Sequence, residues 1–280
     1  MSSTELWVVL GERRYRVERP WGHLPEKLAP GLISQLAVDS RGAVYVFQRG
    51  EPPVLAFEAS GAFRGGLLAG RIADAHGVAI TADDRLLLVD RDAHQLLIAT
   101  TAGEVLATLG ERHRPRWNAP FNHPAAAAIA ADGEIYVADG YGNAQVHRFA
   151  ADGRHLMSFG RPGSGPGQFT TPHAVWVDRR DRVLVADREN DRVQLFARDG
   201  RFLEQWRGFY HPMALYEDAA GLIYVTDQIP RLSLLSPDGR LLGRCRPCRN
   251  TPHGVWGAPD GAIFIAEMNP SEVVKLSPEA

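Results

Sequence analysis

Short apolar runs of five or six residues recur along the chain with a period near 40, each bounded by polar turn residues. Six of these runs stand second in their repeat and end in an acid or an amide side chain: 43–48, 86–90, 135–139, 183–187, 223–227 and 263–267. Their Val, Ile, Leu and Tyr residues, with nearby turn pairs such as Asp132-Gly133 and Asp199-Gly200, are typical of β-strands. No window of comparable length has the periodicity of an amphipathic helix. The pattern therefore predicts an all-β chain of six similar units.

The repeat length suits a unit of four short strands, which cannot bury both of its faces alone. Such units stack radially around a channel, so the repeats predict a six-bladed β-propeller in a single domain over residues 1–280. The last repeat finishes early, at 273–276, and supplies only three strands. The N-terminal segment 6–10 has strand character, and we expect it to complete the last blade, because a closed ring has no exposed sheet edges.

One position in each repeat, fourteen residues before the end of the second strand, lies where the innermost strand begins, and we call it the channel position. From blade one to blade six it is occupied by Ser34, His76, Ala125, His173, Met213 and His253. The histidines fall in alternate blades and are therefore related by a pseudo-three-fold axis along the channel. Three histidines that leave a fourth position open are a common arrangement around catalytic zinc. We predict that these three hold zinc, or another divalent transition metal.

The neighbours of the channel position refine this prediction. The residues that follow the histidines are small, namely Gly77, Ala174 and Gly254, which suits a close approach of backbones near the axis. Two further histidines, His123 and His211, stand two places before the channel position in blades three and five, each followed by proline. We interpret them as rim residues rather than metal ligands.

Composition narrows the possible partners. The formal net charge of −2 argues against a general polyanion binder, and 45% hydrophobic residues allow a sizeable core. No run approaches the ~20 apolar residues that span a bilayer, and the first residues lack a signal-peptide pattern. We therefore expect a cytoplasmic monomer without nucleic-acid or membrane partners. Cys245 and Cys248 form one Cys-x-x-Cys, which lacks the second pair of a structural zinc site; reduced thiols, a local disulfide or a redox role remain open.

Three stretches resemble the signature of peptidyl-α-hydroxyglycine α-amidating lyase, also called peptidylamidoglycolate lyase: 135–143, 163–169 and 186–192. The run Asp139-Gly140-Tyr141-Gly142-Asn143, together with the three histidines, is the specific part of the resemblance, since Asp-Arg-Glu-Asn segments are common to NHL repeats in general. The resemblance implies a six-bladed propeller of NHL repeats, with zinc held by three histidines in the channel. That family cleaves the N–C bond of a peptide ending in α-hydroxyglycine and releases an amide and glyoxylate.

The resemblance also implies roles for single residues. Tyr141 stands where the family has its catalytic tyrosine, which can act as a general base. Arg49, in Phe47-Gln48-Arg49-Gly50, stands where the family has a carboxylate-binding arginine, and we place Met213 with it among the substrate-binding residues. The acid that helps to bind calcium in the family is Gly254 here, so we do not expect calcium.

Three functions remain open at this point. The first is a metal-dependent carbon–nitrogen lyase for a small-molecule or peptide substrate with an α-hydroxy acid end, such as a peptidylamidoglycolate or ureidoglycolate. The second is a non-catalytic NHL propeller that binds a protein or another ligand and needs no histidine triad. The third is a lactonase-like hydrolase, whose acids and asparagines around calcium fit the alternating histidines poorly.

Overall fold

The computed structural model describes residues 5–279, which form 25 β-strands in six sheets and one 3-10 turn at Arg188–Asn190. The innermost strands contact one another in an unbroken cycle, from the first blade to the sixth and back to the first. Within this range, no helix has the length and apolarity needed to cross a membrane. The prediction of an all-β, six-bladed propeller is confirmed.

The strands follow a regular order within each blade. Two strands, β1 (Leu6–Leu10) and β2 (Arg13–Glu18), precede the first blade. Blade one contains β3 (Leu32–Val38), β4 (Val44–Arg49), β5 (Val54–Phe57) and β6 (Phe63–Leu67). Blade two contains β7 (Ala75–Ile80), β8 (Arg85–Asp90), β9 (Gln95–Thr100) and β10 (Val105–Leu109). Blade three contains β11 (Ala126–Ile129), β12 (Ile135–Asp139), β13 (Gln145–Phe149) and β14 (His155–Phe159).

The second half of the ring repeats this plan. Blade four contains β15 (Pro172–Val177), β16 (Val183–Asp187), β17 (Arg192–Phe196) and β18 (Phe202–Arg207). Blade five contains β19 (Pro212–Glu217), β20 (Ile223–Asp227), β21 (Leu232–Leu235) and β22 (Leu241–Cys245). Blade six contains β23 (Pro252–Gly257), β24 (Ile263–Glu267) and β25 (Glu272–Pro278).

The last blade is closed by β2, which pairs with β25, and β1 adds a fifth strand outside it. Val17 lies opposite Leu276, and Tyr15 opposite Pro278. The prediction that an N-terminal strand completes the blade is therefore confirmed, but 6–10 was the wrong segment for it. The physical reason is that side chains of β2 alternate between buried and exposed. Tyr15 and Val17 are buried, so one face of this strand packs against the neighbouring blade.

The hydrophobic core lies between the blades rather than inside any one of them. Each blade interface holds one cluster of buried apolar side chains, and there are six such clusters among the described residues. The second strands are the most deeply buried; β12, for example, is buried along its whole length because both of its faces meet a neighbouring blade. Each large apolar side chain buried in this way stabilises the fold by roughly 1.5–3 kcal/mol. This continuous packing positions the innermost strands around the channel.

The channel position coincides with an irregularity of the innermost strand in five blades. Shifts in strand register occur at Ser34, His76, His173, Met213 and His253. In blade three the channel residue, Ala125, directly precedes β11. A residue at a β-bulge is left out of the regular pairing, and its side chain can be aimed away from the two faces of the sheet. The fold thus turns one residue of each blade toward the axis.

Candidate metal centre and active site

The three histidines of the channel position form a nearly equilateral triangle. Their ring centroids are 5.0 Å apart for His76 and His173, 5.1 Å for His76 and His253, and 4.9 Å for His173 and His253. One nitrogen of each ring lies within 4.8 Å of its counterparts, and no other group of three such ligands occurs between residues 5 and 279. A tetrahedral zinc ion with Zn–N bonds near 2.0–2.1 Å keeps its nitrogens about 3.4 Å apart. The triangle is therefore close to the size that a metal ion requires.

Each histidine is oriented by the channel residue of the next blade. The Nδ1 atoms of His76, His173 and His253 donate hydrogen bonds of 2.7, 2.7 and 2.6 Å to main-chain carbonyl oxygens. The three acceptors belong, in the same order, to Ala125, Met213 and Ser34. Because a carbonyl oxygen only accepts, Nδ1 carries the proton and Nε2 is left unprotonated. The channel residues of the three blades without a histidine thus set the tautomer that a metal needs. Hydrogen-bond partners of histidine ligands do the same in known metal sites.

Burial keeps the imidazoles neutral. Loss of solvent lowers the pKa of His253 to about 3, and the nearby Arg49 guanidinium adds to this effect. Burial likewise lowers the pKa of His76 and His173 well below the usual value, and the neighbouring histidines contribute to both shifts. A neutral imidazole is the form that binds a metal ion.

The donor set therefore fits a divalent transition metal. Nε2 of His173 is buried and has no hydrogen-bond partner in the described part of the chain. A buried acceptor without a partner costs about 1–3 kcal/mol, and a metal ion would remove this cost. Three imidazole nitrogens in one plane leave a further coordination position toward the channel mouth, as in catalytic zinc sites.

Gly77 allows blades two and three to approach each other beside the triad. A Cβ atom at this residue would lie 2.5 Å from the carbonyl oxygen of Ala125 and 2.8 Å from Cα of Ala126. The same carbonyl accepts the hydrogen bond of His76. The predicted close approach is thus present, and it serves the orientation of a candidate ligand.

Aromatic side chains fill the channel beyond the triad. They come from blades four, five and six, three residues after the channel position, where the other blades have alanine. The ring centroids of Trp176, Tyr216 and Trp256 lie 5.4 to 5.8 Å apart. Trp176 and Trp256 line a small cavity of the channel together with Ala79 and Ala128.

Tyr141 stands at the triad on the opposite side from this aromatic group. Its hydroxyl lies 2.9 Å from Nε2 of His76 and accepts a hydrogen bond of 3.2 Å from Arg188. Its ring is also edge-on to His173, at 5.9 Å between centroids. The side chain is 37% exposed, so it is open to solvent while it contacts the triad. Tyr141 therefore lies beside the three histidines, and its catalytic role stays a prediction.

The loop of Tyr141 is held by hydrogen bonds to the preceding segment of blade three. The amide of Gly142 donates to the carbonyl of Asn122 at 2.9 Å. The buried Asp139 carboxylate accepts from the amide of Asn122 at 2.9 Å and from the side chain of Asn143 at 2.9 Å. The first and last residues of the Asp-Gly-Tyr-Gly-Asn run therefore hold the loop that carries the tyrosine.

Arg49 reaches the same region from blade one. Its Nε lies 2.9 Å from a carboxylate oxygen of Asp74 and donates at 3.3 Å to the carbonyl of Ala75. Among the hydrogen bonds of residues 5–279, Arg49 takes part through Nε and not through its terminal guanidinium nitrogens. Burial raises the pKa of Asp74, and the guanidinium groups of Arg49 and Arg91 oppose that shift. Arg49 is thus anchored through Nε, and its fork remains available.

Two arginines beside Tyr141 were missed by the sequence analysis. Arg91 and Arg188 place their guanidinium carbons 5.3 and 5.5 Å from the centre of the Tyr141 ring. Arg91 pairs with Asp74 and Asp92, and Arg188 pairs with Glu189 at 2.7 Å. The signal for both was available in the repeat: the residue that follows the end of the second strand is arginine in blades one, two and four.

The other residues that the sequence analysis singled out lie around the triad. Met213 is buried, and its main-chain carbonyl orients His173; its predicted contact with substrate stays a prediction. His123 and His211 lie outside the triad, where His123 contacts Asn122 at 2.8 Å and Nδ1 of His211 lies 3.1 Å from Glu189.

The two cysteines lie in and directly after β22. Both are buried as free thiols, and burial raises the pKa of Cys245 to about 12 and that of Cys248 well above its usual value. Raised thiol pKa values disfavour the thiolate form that redox chemistry requires.

Comparisons with known proteins agree with the propeller fold, and the similar proteins include lyases. A family model described as a 6-bladed beta-propeller, DUF5128, matches residues 128–229. A solved gluconolactonase structure from Xanthomonas campestris superposes with a TM-score of 0.73 at 16% identity, covering 96% of this chain and 91% of that one, and shows the fold alone. Peptidyl-alpha-hydroxyglycine alpha-amidating lyase 1 of Drosophila melanogaster is 28% identical over 241 residues. That match covers 72% of this chain but only 44% of the lyase.

A further relative matches over most of both chains. NHL repeat-containing protein 3 of Mus musculus is 30% identical over 296 residues, which cover 94% of this chain and 84% of the relative. The chain therefore belongs to the family of NHL repeat-containing protein 3.

Proposed function

We propose that this protein is a zinc-dependent lyase that cleaves the N–C bond of an α-hydroxyglycine-type substrate into an amide and glyoxylate. The observation that carries the proposal is the contact of the Tyr141 hydroxyl, 2.9 Å, with the metal-facing nitrogen of His76. A metal-binding triad and an acid–base group are thereby combined at one point of an open channel mouth. The 28% identity to an amidating lyase supports the same reaction class.

Nε2 of His76, His173 and His253 would hold the metal. When bound, a zinc ion supplies Lewis acidity that makes a coordinated hydroxyl more acidic, as it does for water. The choice of zinc rests on the donor set, since three neutral imidazoles with one open position suit this ion. No carboxylate shares the cluster in the described chain, which also fits a borderline-soft transition metal better than calcium.

Tyr141 would carry the proton of the reaction. Lysis requires the substrate hydroxyl to lose its proton while the carbinol carbon becomes the aldehyde of glyoxylate. The electron pair of the broken C–N bond stays on nitrogen, which takes up a proton to give the amide. The Tyr141 oxygen can accept the first proton and return it to nitrogen, so neither water nor a redox partner is consumed. Tyr141 would take up this proton as a phenolate, and Arg188, 3.2 Å from its oxygen, would stabilise that negative charge before the proton is accepted.

Arg49 would bind the carboxylate that becomes part of glyoxylate. Its Nε lies 2.9 Å from Asp74, and its two terminal nitrogens donate no hydrogen bond among the described residues, so they would present a planar fork to the substrate. A guanidinium fork binds a carboxylate through two parallel hydrogen bonds, which an ammonium group cannot reproduce. Arg49 in blade one faces Arg188 in blade four across the six-fold ring, so the substrate would lie between them.

Glyoxylate release tests the proposal directly. The metal-loaded protein is incubated with N-acyl-α-hydroxyglycines of different acyl groups and with ureidoglycolate, and glyoxylate is measured by a coupled assay. We expect turnover with at least one substrate, lost on chelation and restored by zinc. The matched control for Tyr141→Phe is Tyr210→Phe, which removes an exposed hydroxyl on the same face.

A negative result would have a defined meaning. If the purified protein holds no metal and releases no glyoxylate from any of these substrates, the lyase proposal is wrong, and a ligand-binding propeller becomes the better hypothesis. If it holds zinc but turns over only ureidoglycolate, the reaction class stands and the peptide substrate does not.

A further inference from the structure

A second set of hydrogen bonds joins each histidine-bearing blade to the next blade of the ring. In each case, the residue four places after the end of the second strand accepts a main-chain amide from the segment that leads into the next blade. We call these residues the bridging residues; they are His94 in blade two, Asp191 in blade four and Ser271 in blade six. A triad histidine and the bridging residue of its blade therefore contact the same short segment of the neighbouring blade.

Each bridging side chain accepts one amide proton at normal hydrogen-bond distance. The pairs of amide and acceptor atom are His123 with Nδ1 of His94 at 3.1 Å, His211 with Oδ1 of Asp191 at 2.7 Å, and Ile33 with Oγ of Ser271 at 2.8 Å. These amides lie one or two residues before the channel residues whose carbonyl oxygens accept from the triad, namely Ala125, Met213 and Ser34. Because a bridged amide and the carbonyl that orients a histidine are so close in the chain, a shift of one moves the other.

The alternate blades have a different arrangement at the same repeat position. In blades one and five the equivalent residues are Pro52 and Arg231, whose side chains offer no acceptor. In blade three the equivalent Asn143 accepts from the amide of Asn118, which precedes its own blade rather than the next one. The bridges therefore follow the histidines around the ring and are not part of the general plan of the repeat.

The bridge at His94 also joins the loops that carry Arg91 and Tyr141. The amide of His94 donates to the carbonyl of Arg91 at 3.2 Å, and the carbonyl of His123 accepts from the amide of Tyr141 at 3.3 Å. Burial lowers the pKa of His94, which keeps its ring neutral and Nδ1 available as an acceptor. The backbone of His94 is left-handed, with φ of 59°, a conformation that non-glycine residues keep where the surrounding contacts fix it.

We infer that His94, Asp191 and Ser271 are positioning residues of the metal centre. Each holds the segment whose carbonyl orients one histidine, and His94 also fixes the loop of Tyr141. The inference rests on the metal site of the proposed function and goes beyond it, because these residues act through the neighbouring blade and not as ligands. Loss of a bridge leaves an amide without its acceptor and lets the segment shift, so the hydrogen-bond partner of the histidine shifts as well.

Two substitutions of His94 separate its acceptor atom from its backbone conformation. His94→Asn keeps an acceptor, its amide oxygen, near the position of Nδ1, whereas His94→Gly removes it; both new residues adopt left-handed backbone readily. We expect zinc affinity, measured against a competing chelator, to fall about tenfold or more in His94→Gly and to stay within about threefold of the wild type in His94→Asn. The control is His113→Gly, which replaces an exposed histidine of the same φ and should change nothing. Wild-type affinity in His94→Gly, or no rescue by His94→Asn, would overturn the inference.

Amide hydrogen exchange tests the same bridge without metal. In the metal-free protein, the amides of Tyr141 and Gly142 should exchange about fivefold faster or more in His94→Gly, because their acceptors lie in the segment that the bridge holds. If the wild type takes up no zinc, the proposed function fails, and unchanged exchange of these amides would separately refute the role of His94.

A second matched pair tests the bridge of blade four and remains decisive if His94→Gly does not fold. Asp191 has φ of 54°, so Asp191→Gly and Asp191→Asn also differ mainly in the acceptor. Zinc should bind the Asn variant about as tightly as the wild type and the Gly variant about tenfold more weakly. Equal zinc affinity in the two variants would contradict the inference.

Discussion

The hydroxyl oxygen of Tyr141 lies 2.9 Å from Nε2 of His76, although the two residues belong to neighbouring blades. That nitrogen is the one left free of a proton, because Nδ1 donates to the carbonyl of Ala125. A metal that takes the Nε2 lone pair would release the hydroxyl from this contact while Arg188 still holds it from the other side. The tyrosine would then stand beside the open side of the ion.

Replacement of Tyr141 by phenylalanine should lower kcat for glyoxylate release by about 10²- to 10⁴-fold, because the proton acceptor is lost. KM should change little, since the phenol is not the group that binds the carboxylate. Steady-state kinetics with the Tyr210→Phe control measure both quantities. Activity of Tyr141→Phe within a factor of three of the wild type would remove the tyrosine from the mechanism.

Metal content should depend on all three histidines. We expect about one zinc per chain in the wild type and little metal in His76→Ala, His173→Ala or His253→Ala, because two imidazoles hold the ion poorly. His123→Ala, a rim variant outside the triad, should retain the wild-type content. Elemental analysis of dialysed protein decides this, and zinc that persists in all three triad variants would locate the metal at another site.

Gly77→Ala should disturb the metal site without touching a ligand. The new methyl group would lie 2.5 Å from the carbonyl of Ala125, so blades two and three must separate or the hydrogen bond of His76 must break. We expect a destabilisation of about 1–3 kcal/mol and weaker zinc affinity. Thermal unfolding and zinc titration against a competing chelator measure the two effects. Gly165→Ala, whose closest new contact is a flexible glutamine side chain at 3.2 Å, should leave zinc affinity unchanged.

Arg49→Lys should not rescue the loss caused by Arg49→Ala. Lysine keeps the positive charge, but its ammonium group offers no planar fork to a carboxylate. We expect KM to rise at least tenfold in both variants, with a smaller effect on kcat. Wild-type KM in Arg49→Lys would show that charge alone suffices and that the bidentate contact is not formed.

Stability of the metal-free protein should fall as pH falls below about 6.5. Unfolded histidines take up protons near this pH, whereas burial holds the pKa of folded His253 at about 3. The unfolded state therefore binds more protons in this window, and the free energy of unfolding decreases by up to about 1.4 kcal/mol per pH unit for each histidine. Asp227, whose pKa burial raises to about 6, acts in the opposite direction as the pH falls.

Denaturant unfolding from pH 4 to 8 with His253→Asn as the reference isolates the contribution of His253. The stability difference between wild type and variant should shrink from neutral to acidic pH, because only the wild type loses stability through this residue. A difference that is independent of pH would mean that His253 is not held neutral by the fold.

The sequence was sufficient for the repeat architecture because the signal is repeated six times. Each blade carries the same buried second strand, so errors at one unit do not alter the count, and the channel position could be aligned on Asp90, Asp187 and Glu267. The histidine triad followed from that alignment alone. The β-bulges that aim these residues inward were not visible in the sequence, because a bulge is a shift in pairing between two strands.

Other features depended on contacts between distant segments. The segments 6–10 and 13–18 both have strand character, and only the pairing of Val17 with Leu276 distinguishes the closing strand. Arg91 and Arg188 were missed although a repeat position pointed to them, because arginine is frequent throughout this chain.

The pairing of β2 with β25 has a consequence for how the protein is made. The strand that closes the ring precedes all six blades along the chain, yet its partner β25 lies in the sixth blade. Until β25 has been translated, residues 13–18 can pair only with β1, and contacts between such distant segments form slowly. We therefore expect the nascent chain to build its middle blades before β2 and β25 close the ring.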